Sequence, residues 1–139
     1  MPTYLVRDIM SAPALTIHYE ADLDEAAAIL ENYQIRRLPV VDDEGQLVGI
    51  LTQGDVRVAS MATAVDPYDA AATTWLTAGD AMTHRVFTVT ADAPVVEAVK
   101  MMLEHKIGGL PVTDDAGAII GMVTETDVFR LVVREWGEA

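Results

Sequence analysis

Leu38-Pro39-Val40-Val41-Asp42-Asp43-Glu44-Gly45 returns at an offset of 72 residues as Leu110-Pro111-Val112-Thr113-Asp114-Asp115-Ala116-Gly117. A run that opens on Leu-Pro-Val and stops at Asp-Asp-x-Gly reads as a strand entering a tight hairpin turn. Asp bonds its own backbone there, and Gly supplies the unusual backbone angle the turn needs. Two such devices in one chain mark an internal repeat, and a repeat governs every other assignment.

Working outward, the same offset aligns two halves without a gap. Upstream, Asp8 and Met10 fall on Asp80 and Met82, Thr16 on Thr88, Glu25-Ala26 on Glu97-Ala98, and Ile35 on Ile107. Downstream, Gly49, Thr52, Asp55 and Val56 fall on Gly121, Thr124, Asp127 and Val128. Each copy begins with a short apolar strand, over 15–18 and 86–89. A helix follows. Leu23, Ala26, Ala27 and Leu30 share one helical face, and Val95, Ala98, Val99 and Met102 repeat it. Asp22 suits the cap of the first helix and Pro94 the first turn of the second. Strands are expected over 38–41 and 110–113, then, after the turns, over 47–51 and 119–123. These last runs have few polar breaks, so both of their faces are expected to be covered. A helix closes each copy, from about Asp55 and about Asp127; in the second, Val128, Leu131 and Val132 share a face. The order β-α-β-β-α, twice, is an α+β class. Neither half buries much alone, so the two sheets are expected to pack on each other.

The expected organisation is repeat 1 over 1–60, a connector over 61–79 and repeat 2 over 80–139. From Arg57 to Gly79 the chain is dominated by Ala, Thr and Ser, with Pro67 and Gly79 as breakers; Tyr68 and Trp75 are expected to pin this stretch.

Composition narrows the function. With 139 residues, 51% of them apolar, there is material for one compact domain or two fused half-domains. No apolar run approaches the roughly 20 residues of a membrane helix, and the start lacks a secretory pattern, so a soluble, cytoplasmic chain is expected. Cysteine is absent, which excludes disulfides, thiolate metal sites and a cysteine nucleophile. The net charge of −13 opposes nucleic-acid binding and requires any anionic ligand to find a local positive site.

Several residues invite two readings. Thr52 to Asp55 and Thr124 to Asp127 form Thr-x-x-Asp, which alone explains a capping box: the Thr hydroxyl accepts the N3 amide and the N3 carboxylate reaches back. Arg36-Arg37 is the only adjacent pair of cations in the chain. It reads either as a solvated pair at a strand start or as a phosphate clamp, since guanidinium binds phosphate through two parallel hydrogen bonds. At the matching positions stand Gly108-Gly109, either a flexible loop or a place where backbone approaches a flat ligand. This contrast predicts unequal sites, the first favouring more phosphate. His18, His84 and His105 form no ligand pair, so no metal is assigned. No Ser–His–Asp set stands out, and Asp42-Asp43 and Asp114-Asp115 read as turn formers.

The pieces in order are Asp8-Ile9-Met10, Glu25-Ala26, Leu38-Pro39-Val40-Val41-Asp42 and Gly49-Ile50-Leu51-Thr52-Gln53-Gly54-Asp55-Val56, each with its second copy. Together they resemble a tandem pair of cystathionine-beta-synthase-type (CBS) domains, a Bateman module, over essentially the whole chain. The resemblance implies a pseudo-twofold module with two clefts between the repeats. There, family members bind adenosine compounds: AMP, ADP, ATP or S-adenosylmethionine. It implies ribose hydroxyls on Asp55 and Asp127, phosphate near Thr52 and Thr124, and an adenine flanked by Ile17, Val89, Ile35 or Ile107, with His18 also in the ligand-binding set. Arg36, Arg37, Gly108 and Gly109 complete the candidate ligand-binding set, although a plain core position is the stronger reading of each apolar residue taken singly. A regulatory sensor, a homodimer and a separate effector protein are expected, with no catalysis. Enzyme names attach to such chains because CBS pairs are inserted in inosine-monophosphate dehydrogenase, whose barrel needs about 250 residues. The alternative is a structural or interaction protein whose clefts are filled by side chains and which docks on a partner.

Overall fold

The computed structural model describes residues 3–63 and 76–137. Pro67, Tyr68 and Trp75, expected in the connector, lie outside the described residues. In chain order the described elements are α1 (Val6–Ile9), β1 (Ile17–His18), α2 (Leu23–Asn32), β2 (Arg37–Val41), β3 (Leu47–Thr52), α3 (Gln53–Thr63) and α4 (Ala78–Ala81). They continue with β4 (Val89–Thr90), α5 (Val95–His105), β5 (Gly109–Thr113), β6 (Ile119–Thr124) and α6 (Glu125–Trp136). The strands form two three-stranded sheets, β1-β2-β3 and β4-β5-β6, so the α+β reading holds. Among the described residues no helix is long and apolar enough to cross a membrane.

The chain divides into two compact units. One is contiguous, Leu15–Val86; the other is split, Met1–Ala14 with Phe87–Ala139. In the contiguous unit β1 runs parallel to β2, with Ile17 opposite Val40, and β2 pairs antiparallel with β3. The expected first strands, 15–18 and 86–89, are realised as two residues each, because only Ile17–His18 and Val89–Thr90 find ladder partners, on β2 and β5.

The hairpin chemistry is as the sequence pattern requires. Asp42 Oδ1 accepts the backbone N–H of Glu44 at 3.0 Å and of Gln46 at 2.9 Å, and Gly45 turns at φ +78. Asp114 Oδ1 does the same for Ala116 at 2.9 Å and Ala118 at 3.0 Å, with Gly117 at φ +85. Each hairpin carries one register shift, at Val40/Val41 and at Val112/Thr113.

On α2, Leu23, Ala26 and Leu30 are buried, and on α5, Val95, Ala98 and Met102, so the one-face periodicity is realised twice. Asp22 occupies the N-cap of α2 without a side-chain cap bond, and Pro94 occupies the N-cap of α5 rather than its first turn. Leu38, Val40 and Leu51 form the centre of one core and Leu110, Val112 and Val123 of the other, all fully buried. Each such side chain stabilises its unit by about 1.5–3 kcal/mol. The expectation that β3 and β6 are covered on both faces needs correction. Gly49 and Leu51, and Gly121 and Val123, are buried, whereas their alternating neighbours are only half-buried. The period-2 pleat leaves the second face of each strand partly open.

The segment that opens each repeat packs away from the residues that follow it in sequence. In the split unit Val6 is fully buried in the core with Val89, Ala98 and Leu110, and its N–H donates to the Ala93 carbonyl at 2.8 Å. Ser11 and Met122 exchange backbone bonds of 2.8 and 2.9 Å, adding an edge pairing to β6. In the contiguous unit Ala78 is buried with Ile17 and Leu23, and Ile50 and Thr83 exchange bonds of 3.0 and 2.8 Å. The leading segment carrying Asp80 and Met82 therefore closes the unit Leu15–Val86, and the one carrying Asp8 and Met10 closes the split unit.

Glycine makes this approach possible. A Cβ on Gly121 would lie 2.8 Å from the Ser11 carbonyl oxygen and 3.1 Å from Met10 Sδ. On Gly49 it would lie 2.3 Å from Met82 Sδ and 3.0 Å from the Thr83 carbonyl oxygen.

Candidate functional site

The Thr-x-x-Asp motifs sit where the last strand of each sheet turns into the closing helix, β3 into α3 and β6 into α6. In the contiguous unit the Thr52 N–H donates to Asp55 Oδ2 and the Asp55 N–H donates to Thr52 Oγ1, each at 3.0 Å. In the split unit the Thr124 N–H donates to Asp127 Oδ2 at 2.9 Å and the Asp127 N–H to Thr124 Oγ1 at 3.4 Å. Both are complete capping boxes, which satisfy two helix-start donors each.

A capping box leaves carboxylate lone pairs unused. A hydroxyl from the docked leading segment takes them. Thr83 Oγ1 lies 3.3 Å from Asp55 Oδ1 and 3.2 Å from Oδ2 as donor, and Ser11 Oγ donates to Asp127 Oδ1 at 3.4 Å. The Thr124 hydroxyl also lies 3.2 Å from Asp127 Oδ2. Asp127 is only 6% exposed, whereas Asp55 is half-buried. Ser11 and Thr83 were not among the residues singled out from the sequence. They occupy matching positions one residue after Met10 and Met82, so a self-comparison that equates Ser with Thr would have found them.

Arg36 and Arg37 reach the first corner through the backbone. The Gln53 N–H donates to the Arg36 carbonyl at 3.2 Å, and Arg37 stands opposite Thr52 in the β2–β3 ladder. Arg36 is exposed and Arg37 half-buried. At the second corner the Glu125 N–H donates to the Gly108 carbonyl at 3.0 Å, and Gly109 stands opposite Thr124. Both glycines are buried. The structure thus gathers Arg36, Arg37, Thr52 and Asp55 at one corner, and Gly108, Gly109, Thr124 and Asp127 at the other.

The remaining candidates lie farther along the strands. Ile17 is buried opposite Val40, and Val89 is buried opposite Val112. His18 stands opposite Val41, four ladder positions from Arg37 (roughly 13 Å at strand spacing). Its Nε2 lies 2.5 Å from Asp43 Oδ1, and its Nδ1 accepts the Glu20 N–H at 3.1 Å. His18, Glu20 and Asp43 bring ligand atoms within 4.8 Å of one another. The ring thus has one nitrogen beside a backbone donor and the other beside a carboxylate. The phenols of Tyr4 and Tyr19 are raised above their ordinary range, chiefly by hydrogen bonds to Glu135 and Glu20, and neither belongs to a corner.

What the corners offer is a fixed carboxylate with backbone donors beside it, already receiving a neutral hydroxyl. That is a hydrogen-bond acceptor suited to hydroxyl donors.

Comparison with known proteins identifies the family. The CBS domain family model matches residues 6–62 and 78–134. L-aspartate semialdehyde sulfurtransferase of Methanocaldococcus jannaschii is 38% identical over 130 residues, 94% of this chain but 23% of the enzyme, so the chain spans about a quarter of that relative and matches its CBS part. The CBS domain pair of protein MJ0100, solved with 5′-methylthioadenosine and S-adenosyl-L-methionine, is 36% identical with a TM-score of 0.82, covering 96% of this chain and 99% of that one. CBSX2, solved with AMP, is 26% identical with a TM-score of 0.81, covering 94% and 97%. With two family matches in tandem over most of its length, the chain belongs to the CBS domain family as a CBS pair.

Proposed function

We propose that this CBS pair is a regulatory sensor of adenosine-containing ligands, bound at the two strand-to-helix corners. The observation that carries the reading is the pair of carboxylates, Asp55 and Asp127, each held by a capping box and each already accepting a hydroxyl. Vicinal ribose hydroxyls are donors of the same kind. The relatives solved with 5′-methylthioadenosine, S-adenosyl-L-methionine and AMP support the ligand class. Thr52 and Thr124 sit at helix starts, where backbone donors favour phosphate, with Arg36, Arg37, Gly108 and Gly109 beside the corners; Ile17, His18 and Val89 lie farther along the first strands. A ligand that prefers one conformer shifts the population toward it, by no more than its difference in affinity between the two.

A homodimer and a separate effector belong to the same proposal. On α6, Phe129, Val132, Val133 and Trp136 form an exposed apolar stripe at helical spacing. Beside it, Thr126, Phe129, Arg130, Val133, Arg134 and Gly137 line a shallow groove. This stripe also supports the competing reading, a docking protein that binds no nucleotide.

Thermal melts with AMP, ADP, ATP, 5′-methylthioadenosine, S-adenosyl-L-methionine and a GTP control separate the two. A ligand at about 100 times its dissociation constant adds about 2.7 kcal/mol, a shift of several degrees for a domain of this size. Shifts with adenosine compounds and none with GTP are the expected outcome. Flat melts across the panel would replace the sensor with the docking protein.

A further inference from the structure

We infer that the two corners sort adenosine ligands by phosphate: the Arg36–Arg37 corner takes the phosphorylated nucleotide, and the Gly108–Gly109 corner takes a phosphate-free adenosine thioether or its sulfonium. The inference rests on the adenosine reading above and adds which chemistry goes to which corner.

The contrast lies in charge at matched positions. At the first corner the backbone sets Arg36 and Arg37 beside the turn that carries Asp55, and the first helical residue is the neutral Gln53. At the second corner both arginines are replaced by glycine, and Gln53 is replaced by Glu125, next to Asp127. The formal charge of the named side chains is +1 at the first corner and −2 at the second. The backbone is the same at both. Gln53 and Glu125 donate to the carbonyls of Arg36 and Gly108 at 3.2 and 3.0 Å, so the side chains alone differ.

In a chain of net charge −13, a phosphate group needs local cations, and the first corner supplies the only adjacent pair. At the second corner a phosphate would meet two carboxylates, one exposed and one buried, with no arginine at the matched positions. A neutral thioether adds no charge there, and a sulfonium is attracted by both carboxylates. Gly108 and Gly109 place no side chain at the positions that carry arginine in the first corner, so nothing there calls for a charged group.

Titration calorimetry on the whole chain tests this with AMP, 5′-methylthioadenosine and S-adenosyl-L-methionine as probes. AMP is expected to bind protein already saturated with 5′-methylthioadenosine. The double variant Arg36→Gln/Arg37→Gln is expected to weaken AMP by about tenfold or more, one lost charged contact being worth about that much, and to shift the thioether by less than about twofold. Glu125→Gln, an exposed change that leaves the capping box intact, is expected to weaken the sulfonium several-fold relative to the thioether. Direct competition between AMP and the thioether for one site overturns the inference, as does equal loss of both in the arginine variant. Binding of no adenosine probe to the unaltered protein overturns the adenosine reading itself, an outcome separate from failure of the sorting.

Discussion

Asp55 and Asp127 hold the same place in their repeats under different conditions. Asp127 is buried, its two oxygens shared among the Thr124 amide, the Thr124 hydroxyl and the Ser11 hydroxyl. Asp55 is half-buried and carries fewer protein donors, the Thr52 amide and the Thr83 hydroxyl. A cationic pair borders one and bare backbone borders the other. The repeat fixes the position of a carboxylate; the environment decides how much protein it holds together and what charge it tolerates nearby. Duplicated geometry therefore does not mean duplicated chemistry.

The comparison can be broken hardest at the glycines beneath the leading segments. Gly121→Ala drives a methyl into the Ser11 backbone carbonyl, which cannot yield without losing an edge pairing, and is expected to cost about 2–3 kcal/mol in denaturant unfolding. Gly49→Ala meets chiefly a flexible Met82 side chain and is expected to cost less, about 1–2 kcal/mol. Equal costs would mean that the two leading segments dock alike.

Next come the carboxylates. Asp127→Ala removes a buried acceptor from three donors and is expected to cost about 2 kcal/mol, against about 1 kcal/mol for Asp55→Ala. Chemical denaturation of both variants would show the order, and a reversed order would end the claim that burial distinguishes the corners. Smaller again, Thr83→Val and Ser11→Ala each remove one hydroxyl donor and are expected to cost about 0.5–1 kcal/mol, with Ser11→Ala the larger because its carboxylate partner is buried. The least effect is expected from Asp43→Asn, whose contact with His18 is solvent-exposed: less than about 1 kcal/mol by thermal melt.

Much of this was legible in the sequence, because it depends on local chemistry. The Asp42 and Asp114 turns, the buried faces of α2 and α5, and the Thr-x-x-Asp caps are short-range features whose residue types state their own geometry. The leading segments were not. Nothing in Asp8-Ile9-Met10 says that it will lie against β6, since that contact joins residues more than a hundred positions apart. For the same reason the hydroxyls of Ser11 and Thr83 were invisible at the corners: their partners, Asp127 and Asp55, are distant in sequence. Gly49 and Gly121 carried a hint, since glycine inside a strand often marks close approach of another backbone, but not which backbone approaches. The two-residue β1 and β4 fell short of their apolar runs because a strand extends only as far as its neighbour can pair with it.

The split of one unit has a consequence during synthesis. Residues 15–86 leave the ribosome in order, so that unit has all its parts, the Ala78–Thr83 segment included, once Val86 has emerged. The other unit is assembled from two stretches, Met1–Ala14 and Phe87–Ala139, that flank the contiguous one. Residues 1–14, with Val6 destined for the core and Ser11 for the edge of β6, are made before their partners and have nothing native to bind until the strands after Phe87 appear. Until then an apolar segment waits unsheltered, and closing its loop carries the entropy of the whole intervening stretch. The contiguous unit thus has all its parts before the split one does, because the two stretches of the split unit lie on either side of it.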